Sequence, residues 1–435
     1  MTAELTETAD GFVREVAKLE ARGPGLPAWA QALRRRGFEQ FREAGFPGRN
    51  DEAWRFTDLE PLRKIDFGYE PDPGPAFPAG SDLGGLTWLE ESPRRVVVVN
   101  GFPVPGLSTL SPPDDPCGLE TLEGAWDRVE GVLGALVDRQ RHRFAALNTG
   151  FLAGGVRIHI ARDCAIRHPL HVLVVGAPGD GRRVAFPRIL IEVDAGAEAT
   201  VVEEYVSLPG EGTGFTDAVT EVVVGENAAL NHVRLQRESE RGFHIGAVAA
   251  RLGRNARLGS HLVAVGARLS RVDLDVLLAG EGAEATLDGL YLVAGSGHAD
   301  HHTRVEHRLP HTVSRQLYKG VLDGHGTGVF NGRVVIHPDA QKSEASQTNN
   351  NLLLSENALV NTNPELEIFA DDVKARHGAT VGQIEDEQLF YLRSRGLDQQ
   401  TARHVLVQAF ARDMIDRVPV PAVREALGAD VEERF

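Results

Sequence analysis

Histidines are the residues of this sequence best suited to chemistry. His298, His301, His302, His307, His311, His325 and His337 all fall between positions 298 and 337. Neutral imidazole is a common metal ligand, and without cysteine beside it the matching ions are zinc, iron or copper. If this stretch is a strand, His301, Thr303, Val305, His307, Leu309 and His311 share one face. His302, Arg304, Glu306 and Arg308 share the other, a solvated charge ladder. The first face carries the apolar residues, so His301 and His307 point inward or along a groove. Asp300 is placed to orient one imidazole, as carboxylates behind metal-bound histidines do. The plainer reading is semi-buried histidines hydrogen-bonded within a core.

His377 is a separate case. It follows Leu366–Ala370, whose period-2 alternation reads as a half-buried strand, and precedes Gly378. It stands beyond that alternation, beside Lys374 and Arg376, where strand-rich sequence hands over to helical sequence. Positive neighbours disfavour imidazolium and keep the ring in its ligand form. Other signatures are missing. There is no Gly-x-x-x-x-Gly-Lys-Ser/Thr phosphate loop, no His-Glu-x-x-His and no Gly-x-Ser-x-Gly elbow. Gly324-His325-Gly326-Thr327-Gly328 follows no βαβ pattern and reads as a tight corner.

The elements that must hold these histidines change character along the chain. Residues 1–65 read as a helical domain. Asp10 caps a helix through Glu20 carrying Phe12, Val16 and Leu19, and Pro27 opens a second over Ala28–Ala44. Trp54 and Phe56 anchor the following segment by buried aromatic area. Residues 66–150 form a linker and mixed region, with Pro71, Pro73, Pro75 and Pro78 in an extended arm, a strand over Arg95–Asn100, a Pro-rich loop at 110–116 and helical character over 119–147. Residues 151–369 lose helical periodicity. Gly/Asn-Ala turn signals recur, with alanines at 165, 197, 228, 256 and 283. Corners at this long period, with small residues beside them, favour stacked coils of a β-solenoid over a sandwich. Asn349-Asn350-Asn351 reads as a turn or stacked ladder. Residues 370–435 are a C-terminal helical domain. Glu385–Arg395 is stopped by Gly396, Asp398 caps Gln399–Arg417, and a last short helix covers Ala422–Leu427.

Composition sets outer limits. The 435 residues carry 46 Lys plus Arg against 62 Asp plus Glu, a net charge of −16. That opposes nucleic-acid binding. No run approaches a membrane span. Glu4, Glu7 and Asp10 do not make a secretory leader. Cys117 and Cys164 are the two cysteines, so no disulfide framework exists and a reducing, cytoplasmic setting fits.

The run Leu366–Gly382, followed by Glu387-Gln388-Leu389-Phe390-Tyr391-Leu392-Arg393-Ser394-Arg395-Gly396, resembles the SufB/SufD family of iron–sulfur cluster assembly proteins. Tyr318-Lys319-Gly320, Gly332–Pro338, Gln341-Lys342-Ser343, Glu52–Thr57 and His298–Thr303 extend the resemblance over nearly the whole chain. Phe369–Lys374 and the Gln-Lys-Ser run are more like SufD than SufB. The resemblance implies a mainly β fold, a right-handed parallel β-helix flanked by N- and C-terminal helical domains. It implies a non-enzymatic subunit that pairs with SufB and docks the ATPase SufC on the C-terminal helices, with Leu389, Tyr391, Leu406 and Phe410 as docking candidates. It also implies a transient iron–sulfur cluster shared with SufB, with no tightly bound cofactor in the isolated chain, and it carries a cluster ligand onto His377; His301 and His307 are secondary candidates. Ala375 stands where SufD sequences often have cysteine, so a thiolate must come from elsewhere. The alternatives are a SufB-like homodimeric scaffold, a carbohydrate-active β-helix enzyme, or an isolated histidine-metal protein.

Overall fold

The computed structural model describes residues 11–12, 14–16, 19, 25–70, 72, 83–111 and 115–435. Its body is a parallel β-helix made of two facing sheets of ten strands each. Successive strands alternate between the sheets. Glu284–Val293, Val313–Leu322, Glu344–Leu353 and Lys374–Gln383 lie side by side in the first. Leu269–Leu278, His298–His307, Thr327–Ile336 and Leu359–Ile368 lie side by side in the second. Alternate side chains therefore point into a shared lumen or out toward the flanking helices.

The corners explain the repeat. Gly196, Asn227, Asn255, Gly282, His311 and Lys342 occupy one corner with positive φ. Glycine and asparagine enter that region at least cost. The residues that follow, Ala197, Ala228, Ala256, Ala283, Thr312 and Ser343, are all buried and stack one above another. The same corner also needs glycine for clearance: a Cβ at Gly280 would overlap the backbone of Gly253 and Arg254 in the coil below.

Strand pairing passes the expected limits of 151 and 369. Arg95–Val99 joins the first sheet beside Leu170–Gly176, and Lys374–Gln383 closes it at the other end. The expected helix over 119–147 is instead a strand, Cys117–Thr121, a one-turn helix at Trp126–Val129 and a helix at Arg143–Gly150. Gly131 and Gly134 turn the chain with φ of 80° and 81°. The Glu221 carboxylate then takes the freed amides of Gly134 and Leu136 at 2.7 and 2.9 Å.

The N-terminal helix Ala28–Ala44 ends as expected, with Gly45 at φ 63°. Asp10 as a cap and the prolines at 71, 73, 75 and 78 lie outside the described residues. Phe41, Phe46, Trp54 and Phe144 seal this region to Phe215 and Phe243 on the outer face of the second sheet. Phe56 does not share that role; it is 46% exposed, because Trp54 alone of the pair turns toward the body. At the other end Asp398 caps Gln399–Ile415 by accepting from the amides of Gln400 and Thr401. That helix and Pro421–Arg434 bury Val407, Met414, Val423 and Leu427 against Val233, Leu290 and Val321 of the first sheet.

Candidate functional site

His377 lies within the last strand of the first sheet, and not beyond the strand pattern. Lys374–Gln383 pairs on one side with Glu344–Leu353, while its other edge is open. The run reads as a loop in sequence because the final coil has no coil above it to bury an alternating apolar face. In register, Ala375 continues the inward column of Ala285, Ser314 and Ala345, and His377 that of Leu287, Gln316 and Gln347. The imidazole is exposed at the mouth of the lumen. Lys374 and Arg376 are on the opposite face, where the Lys374 ammonium meets Glu344 at 2.8 Å, so they do not press on the ring as the sequence order suggests.

Beneath His377 the lumen is polar. Gln316, Gln347, Asn349 and Asn351 are buried with Tyr291, Tyr318 and His301. Glycines make room for the large side chains. A Cβ at Gly332 would overlap the Gln347 amide, one at Gly289 the Tyr318 ring, and one at Gly320 the Tyr291 ring. The asparagine run is a buried ladder and not a turn: Asn351 donates to Asn349 at 2.7 Å, and Asn349 to the Tyr291 hydroxyl at 3.2 Å. His301 stands edge-on to Tyr291 and Tyr318 at ring distances of 5.3 and 5.6 Å. Burial pushes its imidazole down to about 4, so it is neutral near pH 7. Two coils of the lumen thus carry uncharged polar groups beneath the histidine.

His307 points inward as expected, but its ring nitrogens engage the hydroxyls of Thr312 and Ser314 at 2.8 and 2.9 Å. It is a core histidine that ties a corner to a strand. The expected face does not reach His311, because the strand ends at His307 and His311 takes the corner at φ 59°. On the outer face, the Asp300 carboxylate lies 3.0 Å from the His302 imidazole, close enough for charge attraction but not aligned as a hydrogen bond. Its larger partners are Thr57, which donates at 2.6 Å, and Arg271 at 2.8 Å. Arg271 also stacks 3.8 Å from Trp54 and donates to the Ala53 carbonyl. Burial would raise the Asp300 carboxyl, but Arg271, His302 and His298 outweigh it and hold it far below the usual range. The Glu52–Thr57 and His298–Thr303 motifs are therefore two halves of one latch.

The histidines do not assemble into a metal centre: among the described residues, no three His, Cys, Asp or Glu side chains group to hold an ion. Cys117 is buried in the core of the opening coils and Cys164 is half-buried against it, at the far end from His377. The docking candidates divide. On Asp386–Ser394, a helix with no buried residue, Leu389 is half-buried and Tyr391 is 57% exposed, beside Phe390 at 72%. Leu406 is half-buried. Phe410 is turned toward the body, with the Lys319 ammonium 4.7 Å over its ring. Phe390 entered the sequence reading only within the family run, and Gln347 escaped it. The i,i+1 aromatic pair Phe390-Tyr391 was a signal for the first; nothing local marks the second, which matters only through its neighbours in the coils on either side.

Residues 175–410 match the sequence profile described as the SUF system FeS cluster assembly, SufBD core domain. The chain is 34% identical to an iron–sulfur cluster assembly SufBD family protein of Synechocystis, over 88% of this chain and 86% of that one. It is 33% identical to the iron–sulfur cluster assembly protein SufD of Escherichia coli, over 91% of each. It is 30% identical to the chloroplastic protein ABCI7 of Arabidopsis thaliana, over 96% of this chain and 89% of that one.

Proposed function

We infer a SufD-type scaffold role for this chain, which belongs to the SufBD family of iron–sulfur cluster assembly proteins. In this reading the open end of the β-helix pairs with a SufB-type subunit, and the two terminal coils enclose the nascent cluster as cargo. His377 supplies a nitrogen ligand, and the partner supplies thiolate. The observation that carries the reading is the position of His377: exposed, on a terminal strand paired along one edge only, and in no group of three metal-ligating side chains among the described residues. A single imidazole ligand binds weakly, which suits a cluster that must leave. The chain is a binding subunit without chemistry of its own, and ATP hydrolysis belongs to a SufC-type partner seated on Phe390 and Tyr391. Its setting is the cytoplasm; no described helix is long and apolar enough to cross a membrane.

The test is co-expression with SufB- and SufC-type partners, followed by anaerobic iron and sulfide determination on the purified complex. His377→Ala leaves the complex intact and lowers both contents severalfold. Unchanged contents would remove His377 as a ligand, and failure of the wild-type chain to co-purify would remove the pairing. A homodimer that holds cluster alone would favour the self-paired scaffold. A glycoside-cleaving role finds little support in Asp273, Asp275 and Asp300 on the outer face of the second sheet: each lies within 2.8 Å of Arg271 or His142, held in an ion pair and not free to act as a paired acid and base.

A further inference from the structure

The polar end of the lumen poses a satisfaction problem that the fold alone does not solve. His301 Nδ1 and Nε2, Gln316 Nε2, Tyr318 Oη, and Gln347 Nε2 and Oε1 are all buried without a hydrogen-bond partner among the described residues. They form one cluster. Gln316 and Gln347 are in register on adjacent strands. Gln316 accepts from Thr303 at 2.7 Å, two positions along from His301. The Gln347 amide lies over Gly332, which is in register with Thr303. Tyr318 borders His301. Buried polar atoms in native proteins are almost always bonded to protein or to internal water. The chemistry of the cluster selects the guest. It holds no carboxylate for a cation and no cationic side chain for an anion, and His301 is neutral. Amide, phenol and imidazole offer both donors and acceptors, as a molecule with two of each requires.

We propose that the lumen beneath His377 is an internal water site, and that Gln347, through this water, is a positioning residue for the His377 imidazole. Gln347 and His377 are in-register neighbours on the same inward face. A water held by Gln347 is therefore within one side chain of the ring. It fixes one ring nitrogen inward, so that the other faces the open end. The positioning role rests on His377 being the ligand; the water site does not.

The full-length chain is used for every measurement. A crystal structure that resolves solvent should show at least one ordered water bonded to the Gln347 amide and to Tyr318 Oη or a His301 nitrogen. A dry lumen with Gln347 turned onto another side chain would overturn the site. In ¹⁵N-histidine NMR, His377 should show one dominant tautomer that becomes a mixture in Gln347→Met, a near-isosteric change. An unchanged tautomer ratio would overturn the positioning role. Tyr318→Phe should lower the melting temperature, because the hydroxyl loses its water; a rise would mean the hydroxyl was dry, against the proposal. None of these readouts involves iron, so failure here leaves the ligand role standing, and loss of the ligand role leaves the water site testable.

Discussion

Histidines carry most of the functional signal in this sequence, and two of the candidates, His301 and His307, prove to be core residues. His301 and His307 point inward as the period-2 pattern requires, and burial pushes both down to about 4. The unfolded chain titrates near 6.5, so between about pH 6.5 and 4 it binds protons that the folded chain refuses. Stability is full above that window and falls as the pH drops through it, by roughly 3 kcal/mol per histidine at the limit. Denaturant melts at pH 7 and pH 4.5 should show this loss, and His307→Gln should reduce it. An unchanged midpoint difference in the variant would exclude His307 from the effect. The Asp300 carboxyl acts elsewhere: its stabilisation is present above the ordinary aspartate pKa and is lost only in stronger acid. Clearance is the second residue-scale constraint. Gly289→Ala would drive a methyl into the Tyr318 ring and should cost about 1–3 kcal/mol by overpacking. Gly378→Ala meets nothing within 4 Å and should be nearly neutral. Equal costs in urea titration would contradict the lumen packing described here.

At the scale of elements, the C-terminal helices divide into those that hold and one that offers. Leu427 and Val423 are buried against the first sheet, whereas Asp386–Ser394 presents Phe390 and Tyr391 to solvent. Leu427→Ala should therefore destabilise the chain by about 2–5 kcal/mol. Phe390→Ala with Tyr391→Ala should leave the melting temperature unchanged and abolish capture of a SufC-type ATPase. Retained capture would move the docking surface elsewhere. Elements with strong local signals were legible in the sequence. The helix Ala28–Ala44 and the Asp398 cap follow from short-range rules, and the corner alanines from the repeat. The terminal strand was not legible, because Lys374-Ala375-Arg376-His377-Gly378 has no apolar alternation, and its strand state comes from pairing with Glu344–Leu353. For the same reason His377 was readable as a residue of interest while its face, and the Gln347 beneath it, were not. The 119–147 region misled through apolar spacing that Gly131 and Gly134 interrupt.

At the scale of the molecule, the two ends of the β-helix differ. The opening coil is closed by antiparallel partners, Phe102–Pro103 on one sheet and Cys117–Thr121 on the other. The last coil has no cap among the described residues. Its two terminal strands are not equivalent edges. Leu359–Ile368 carries Pro364, which lacks an N–H and so weakens any strand added there. Lys374–Gln383 carries no proline and keeps every amide donor. Leu359, Ile368, Phe369 and Val381 add exposed apolar area around this edge. An unprotected edge is a template for another chain, and here it is directed to the strand that bears His377. Val381 is in register with Asn351 at the lumen mouth, so Val381→Lys places a charge on the pairing surface without disturbing a buried contact. The variant should keep the wild-type melting temperature and lose association with a SufB-type partner in sedimentation velocity, and any self-association of the isolated chain should fall with it. If the variant still pairs at wild-type strength, the partner does not seat on this edge, and the cluster site cannot be shared across it.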